Sequence, residues 1–247
     1  MQMRERLPRA RDRRARRRGA RLLAAIVLFA LLAVALAVGV TWVTTPSTAD
    51  AAARADAVAK EHGGTPLQAG QVPATLAQAL VATEDTGFYQ EPGISPEGMA
   101  RAAIVDAQNR CFCQGGSSID QQLVEDLYLR GSDSALPEYW RGLVMALKVN
   151  RDLSKQQILA AYFSEVYLGH LAYGAVAAAH VYFNRPLDDL TLTEYAMLAG
   201  LPQAPSAYDP ILHPALARER LREVLAAMVA NGDISSRQAA TAANGAL

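Results

Sequence analysis

Residues 114–123 read QGGSSIDQQL. A glycine pair, Gly115-Gly116, runs into Ser118, and Gln121 stands three residues further on. At that spacing a serine side chain accepts from the third helical N–H while the glutamine reaches back to the serine's own N–H, so a helix starts here. Ile119, Leu123 and Leu127 fall on one face of that helix; Ser117, Gln121 and Glu125, at i, i+4 and i+8, fall on another. Glycines ahead of a capped helix leave backbone N–H groups free for an anion such as phosphate.

The same signature recurs at Ser154–Gln157, Thr191–Glu194 and Ser235–Gln238, and Ser95-Pro96-Glu97 places a cap before a first-turn proline. No alternating strand pattern lies between these points. Helices are expected over 74–83, 96–109, 117–129, 138–151, 155–165, 172–182, 192–199, 214–230 and 235–243, so the fold class is all-α. The folded domain is expected at 67–247, after an extracytoplasmic linker at 44–66 in which Ala51 to Glu61 can form a short helix before Gly63-Gly64 breaks it.

Upstream, residues 22–43 read LLAAIVLFALLAVALAVGVTWV without a charge, long enough as a helix to cross the roughly 30 Å of bilayer hydrocarbon. A transmembrane helix is expected; a cleaved signal peptide, with Ser47 to Ala51 as its cleavage region, is the alternative. Residues 1–21 carry ten arginines against Glu5 and Asp12, a basic tail that stays cytoplasmic and leaves the domain outside the cell membrane. The remainder holds 14 bases against 22 acids, which argues against a nucleic-acid partner. Cys111 and Cys113 are too few for a disulfide scaffold and, in an oxidising compartment, should not persist as free thiols. Four scattered histidines give no zinc spacing.

Chemistry is expected at Glu84-Asp85, an acidic pair closing the apolar run Leu76 to Ala82. Acids at a helix C-terminus oppose the helix dipole, so their presence suggests a site that needs a carboxylate.

These residues resemble glycosyltransferase family 51, the peptidoglycan glycosyltransferases. The family's E-D-x-x-F-x-x-H-x-G is matched by Glu84-Asp85, Phe88 and Gly93, followed by Pro96, Gly98 and Arg101-Ala102; its G-G-S-x-I-x-Q-Q-L is matched from Gly115 to Leu123. Ser154-Lys155, Tyr162, Tyr167, Ala172-Tyr173-Gly174 and Leu198 to Ser206 match its later helices, and the match runs from about Val72 to the C-terminus. The resemblance implies a lysozyme-like helical domain at the outer membrane face that polymerises lipid II into nascent glycan strands for the cell wall. It implies Glu84 as the base taking the proton of the acceptor's 4-hydroxyl. Asp85 would support it, Arg101 would face the donor phosphates, and Ser117, Gln121 and Gln122 would line the cleft. A divalent cation, Mg or Mn, is compatible with this chemistry, and no other cofactor is required. Membrane lipid and other cell-wall synthesis proteins are the implied partners. With no transpeptidase segment within the sequence, a monofunctional member is expected.

The departures lie at the chemistry. The family's motif-one His is Glu91, its motif-two Lys is Glu125, the Glu of R-K-x-x-E is Gly142 after Glu138-Tyr139, and the usual Glu and Asn of the next helix are Ala160 and Ser164. An expected phosphate-holding Arg has no match near Ser134, with Arg130 and Arg141 as the nearest substitutes. The alternative function is therefore a catalytically impaired member that binds lipid II or glycan, or regulates wall synthesis. A hydrolase with a second acid at a defined separation is a third reading.

Overall fold

The computed structural model describes residues 10–100, 105, 116–130 and 135–245. Arg101, Cys111, Cys113, Gly115 and Ser134 lie outside the described residues. The chain forms two compact units, Met1–Pro46 and Ser47–Leu247.

The first unit holds α1 (Ala10–Thr44), of which Gly19–Thr44 is long and apolar enough to cross a membrane. Its large apolar side chains, among them Leu22, Phe29, Leu36 and Val43, are exposed. The hydroxyls of Thr41 and Thr44 donate to the carbonyls of Ala37 and Val40 at 2.8 and 2.9 Å, satisfying the polar groups within the helix, as an apolar solvent requires.

The second unit follows the order α2 (Ala51–Glu61), α3 (Ala74–Glu84), α4 (96–100), α5 (Ile119–Val124), α6 (Ala135–Asp152), α7 (Lys155–Glu165), α8 (Ala175–Phe183), α9 (Leu192–Gly200), α10 (Pro214–Asn231) and α11 (Ser236–Ala243). Among the described residues the only β pairing is an isolated bridge between Tyr167 and Tyr173. All four boxes close as the spacing predicts: Ser118, Ser154, Thr191 and Ser235 each accept from the N–H three residues on, and each receives the reciprocal bond. The Ser95 hydroxyl accepts from the Gly98 N–H at 3.1 Å.

Two boundaries differ from the sequence reading. The helix expected over 117–129 is α-helical only to Val124 and continues as a π turn, Glu125–Leu129. The helix expected from 172 begins at Ala175, because Gly169, His170, Leu171 and Gly174 all take positive φ and turn the chain back on itself. At Gly174 a Cβ would collide with the Ser164 carbonyl, so a glycine is required there.

The segment expected as a linker belongs in large part to the folded unit. In α2 the alanines at positions 51, 55 and 59 are fully buried, and the helix packs on α7; three methyl groups on one face let the two backbones come close. Thr48 donates to Asp152 at 2.8 Å. Asp50 accepts from the Tyr128 hydroxyl at 2.8 Å and from Arg54 at 2.8 Å, while Arg54 lies 4.7 Å over the Tyr128 ring. This clamp joins the start of α2 to the π turn.

Helix α3 is the central element. Six of its residues, Leu76, Ala77, Ala79, Leu80, Val81 and Ala82, are buried, and it packs against α9 and α10. Full burial of a leucine stabilises by about 1.5–3 kcal/mol, and Leu80→Ala would cost about 2–5 kcal/mol. This packing fixes where the last residue of the helix, Glu84, emerges.

Candidate active site

Glu84 is the acid at the wrong end of a helix dipole, and it is held there by side chains from elsewhere. Its Oε1 accepts from Nη2 of Arg220 on α10 at 3.2 Å, and its Oε2 accepts from Nε2 of Gln122 on α5 at 3.2 Å. Gln122 Oε1 accepts from the Tyr162 hydroxyl at 2.9 Å, which fixes the amide so that its N–H faces the carboxylate. Arg220 is itself oriented: Nε donates to the Gly200 carbonyl at 3.0 Å, Nη1 meets Glu223 at 3.0 Å, and the guanidinium lies 5.7 Å from the Tyr208 ring centre. A Cβ at Gly200 would stand 2.9 Å from Arg220 Cγ, so a glycine lets α9 and α10 approach this closely.

The Glu84 side chain is 15% exposed and that of Arg220 8%. Burial pushes Glu84 above the usual carboxylate range, while Arg220 and Gln122 pull it part of the way back. A fixed carboxylate of raised basicity that still reaches solvent suits a general base near neutral pH.

Asp85 faces the interior. Its Oδ2 accepts from the Ile119 N–H at 3.1 Å, tying the end of α3 to the start of α5, and its Oδ1 is buried with no hydrogen-bond partner among the described residues. Burial, with Glu91 and Asp120 nearby, pushes it up to about 6 against the pull of the Ile119 N–H and Lys155. Asp120, fully buried, accepts from Asn150 at 3.0 Å and from Lys155 at 3.2 Å, and Lys155 Nζ sits 4.1 Å from the Phe88 ring centre. Glu91 accepts from Ser95 Oγ at 3.0 Å.

Of the two glutamines, Gln122 is the one that reaches Glu84. Gln121 is buried and occupied in the capping box, its Oε1 accepting from the Ser118 N–H at 3.0 Å. Ser117 is half-buried just ahead of the cap. Glu125, whose N–H still meets the Gln121 carbonyl as in an α-helix, opens the π turn and is exposed, whereas Ser117 precedes the N-cap and lies outside the helix. Arg130 ends the π turn with Nε and Nη2 on Asp126 Oδ1 at 3.1 and 3.0 Å, and Nη2 lies 3.8 Å from Glu165 Oε2. Thus Glu84 and Gln122 are brought together, Asp85 and Gln121 are engaged in the joint behind them, and Arg130 belongs to a neighbouring cluster. Among the described residues no group of three or more His, Cys, Asp or Glu is arranged to hold a metal ion.

Arg220 beside Glu84, Tyr162 behind Gln122 and Glu165 beside Arg130 are contacts to which the sequence reading gave no role in the site. Arg220 carried a signal: with Ala217, Leu221, Val224, Leu225 and Met228 it forms the buried face of α10, and an arginine within an apolar stripe needs a buried partner. Glu165 likewise closes a helix whose residues from Ile158 onward are all buried.

Residues 50–229 match the family model described as Transglycosylase. The chain is 41% identical over 175 residues to penicillin-binding protein 1A of Neisseria gonorrhoeae, covering 71% of this chain and 22% of that protein. It is 38% identical over 177 residues to penicillin-binding protein 1F of Bacillus subtilis, covering 72% and 25%. The chain thus spans about a quarter or less of the length of these relatives. Among solved structures, penicillin-binding protein 1A from Haemophilus influenzae aligns at a TM-score of 0.45 and 25% identity over 74% of this chain and 17% of that one. With the family model matching most of the chain around Glu84, the protein belongs to the transglycosylase family.

Proposed function

We propose that this chain is a membrane-anchored peptidoglycan glycosyltransferase that polymerises lipid II. The observation that carries the reading is the Glu84 carboxylate, fixed between Arg220 and Gln122 with its basicity raised by burial. In the reaction the acceptor's 4-hydroxyl oxygen forms a bond to the donor's anomeric carbon as the bond from that carbon to the diphosphate breaks. Glu84 takes the hydroxyl proton and later returns it to solvent, and the lipid diphosphate leaves with the electron pair. Arg220 keeps Glu84 ionised enough to accept that proton. Arg130, half-exposed at the end of the π turn, is assigned to the leaving diphosphate, and Arg101 belongs to the same proposed phosphate set. The apolar span Gly19–Thr44 supplies the anchor, and the basic tail ahead of it supports a cytoplasmic N-terminus with the domain outside.

A binding-only role is not favoured, because Glu84 retains both of its donors. Full-chain protein in detergent, given lipid II with and without a divalent cation, should yield glycan polymers on gel separation. Glu84→Gln should lower the rate a hundredfold or more, on the order expected for a positioned base, and leave lipid II binding nearly intact. Equal polymer from wild type and Glu84→Gln would defeat the mechanism.

A further inference from the structure

Two carboxyl groups converge on one nitrogen beside the site: Arg130 Nη2 stands 3.0 Å from Asp126 Oδ1 and 3.8 Å from Glu165 Oε2. The two acids differ in environment. Asp126 keeps 28% of its side chain exposed, whereas Glu165 has none exposed, and among the described residues neither of its oxygens has a hydrogen-bond partner of good geometry. Glu165 sits at the C-terminal end of α7, three residues after Tyr162, whose hydroxyl holds Gln122 and, through it, Glu84. Among the described residues the charged and titratable groups facing it are Asp126 of the π turn, Arg130 at its end and Tyr162 from its own helix; Tyr173 faces Arg130, and Asp50 and Arg54 at the start of α2 are engaged with each other and with Tyr128.

We propose that Glu165 is a positioning residue for Arg130: the carboxyl to which Asp126 turns when Arg130 leaves it for a phosphate oxygen. The proposal rests on the reading of Arg130 as a ligand of the donor's diphosphate. Among the described residues the Nε/Nη2 edge of Arg130 is held by Asp126, so a diphosphate that engages that edge takes it from a carboxylate. An acid left bare in a half-buried position is costly. A protonated Glu165 offsets that cost by donating its O–H to Asp126. Burial and the nearby Asp126 push Glu165 up to about 9, against the opposing pull of Arg130, so the proton is present at neutral pH. Above that range both acids are charged; they hold Arg130 between them and repel the diphosphate.

The test is the affinity of the full chain for undecaprenyl diphosphate in detergent micelles, measured from pH 7.5 to 10 for wild type, Glu165→Gln, Glu165→Leu and Arg130→Ala. At pH 7.5 Arg130→Ala should bind about tenfold more weakly, the scale of one charge-assisted hydrogen bond. Glu165→Gln, whose amide N–H still serves Asp126, should match wild type, and a folded Glu165→Leu should bind several-fold more weakly. Wild type should lose affinity with a midpoint near 9, whereas Glu165→Gln and Arg130→Ala should not. If Glu165→Gln follows the wild-type alkaline loss, or if wild type shows none, the proposal is wrong even where Arg130→Ala weakens binding. If Arg130→Ala binds as tightly as wild type, the phosphate reading of Arg130 fails first and the role of Glu165 falls with it.

Discussion

Arg220 and Glu84, 136 residues apart in sequence, meet at 3.2 Å across the junction of α10 and α3, with both side chains largely buried. Replacing the cation with an apolar side chain of similar length, Arg220→Met, strands the acid. Breaking a buried pair from one side costs about 3–5 kcal/mol, so the denaturant midpoint should fall. Adding Glu84→Gln to Arg220→Met should recover part of the loss, because the uncompensated charge is then gone. A double variant as unstable as the sum of the two single ones would show that the pair is not coupled.

The pH dependence of the rate follows from the same pair. Burial raises Glu84 above the ordinary carboxylate range, and only its ionised form can accept a proton. Activity should therefore rise with pH through a midpoint above that of an ordinary glutamate, and Arg220→Met should move the midpoint higher still. Initial rates of lipid II polymerisation across pH 4.5–8 measure both. An acidic limb unmoved by loss of Arg220 would separate Glu84 from the base step.

By the motif resemblance, Glu125 and Gly142 are expected where the family carries a lysine and a glutamate. Glu125 is exposed, so Glu125→Lys should raise affinity for lipid diphosphates only modestly, up to about fivefold, and more at low salt than at high. A side chain can be accommodated at 142, where among the described residues a Cβ would meet only Leu129 Cδ1, at 3.4 Å. Gly142→Glu should therefore fold, and titrating both variants with undecaprenyl diphosphate at two ionic strengths tests the electrostatics. A salt-independent gain would point to another cause.

Asp85 makes a prediction about stability. Its folded value of about 6 lies above its unfolded value of 3.8, so the folded state binds its proton more tightly. The stability this contributes is fully present at low pH and is lost as pH rises through about 6. Relative to Asp85→Asn, wild type should lose about 3 kcal/mol between pH 3.5 and 7.5, read as diverging unfolding free energies. Parallel curves for the two proteins would mean that Asp85 titrates normally.

Local chemistry in the sequence reached most of the helices. The boxes opened by Ser118, Ser154, Thr191 and Ser235 each involve residues three apart, so pattern and structure agree there. The π turn was not legible, because Glu125–Leu129 continues the same apolar spacing and differs only in which carbonyl each N–H meets. The face expected of Ser117, Gln121 and Glu125 fails at its first member, because the box makes Ser118 the N-cap and leaves Ser117 outside the helix. In the site, Glu84 stood out through its conflict with the helix dipole. Choosing between Gln121 and Gln122 required knowing that the box consumes the first. The contact from Arg220 arises only when α10 crosses α3, a tertiary fact that an apolar stripe hints at without naming a partner.

The alanine face of α2 and the Asp50 clamp bear on where the protein can be severed from its apolar helix. A cut at residue 67 would strip the methyl groups of Ala51, Ala55 and Ala59 from α7 and take Asp50 and Arg54 together away from Tyr128. The π turn leading to Arg130 would lose its outer brace even with every residue from Glu84 onward still present. The stretch between Ser47 and Glu61 is a strut for the turn that carries Asp126 and Arg130, and its removal takes that support away.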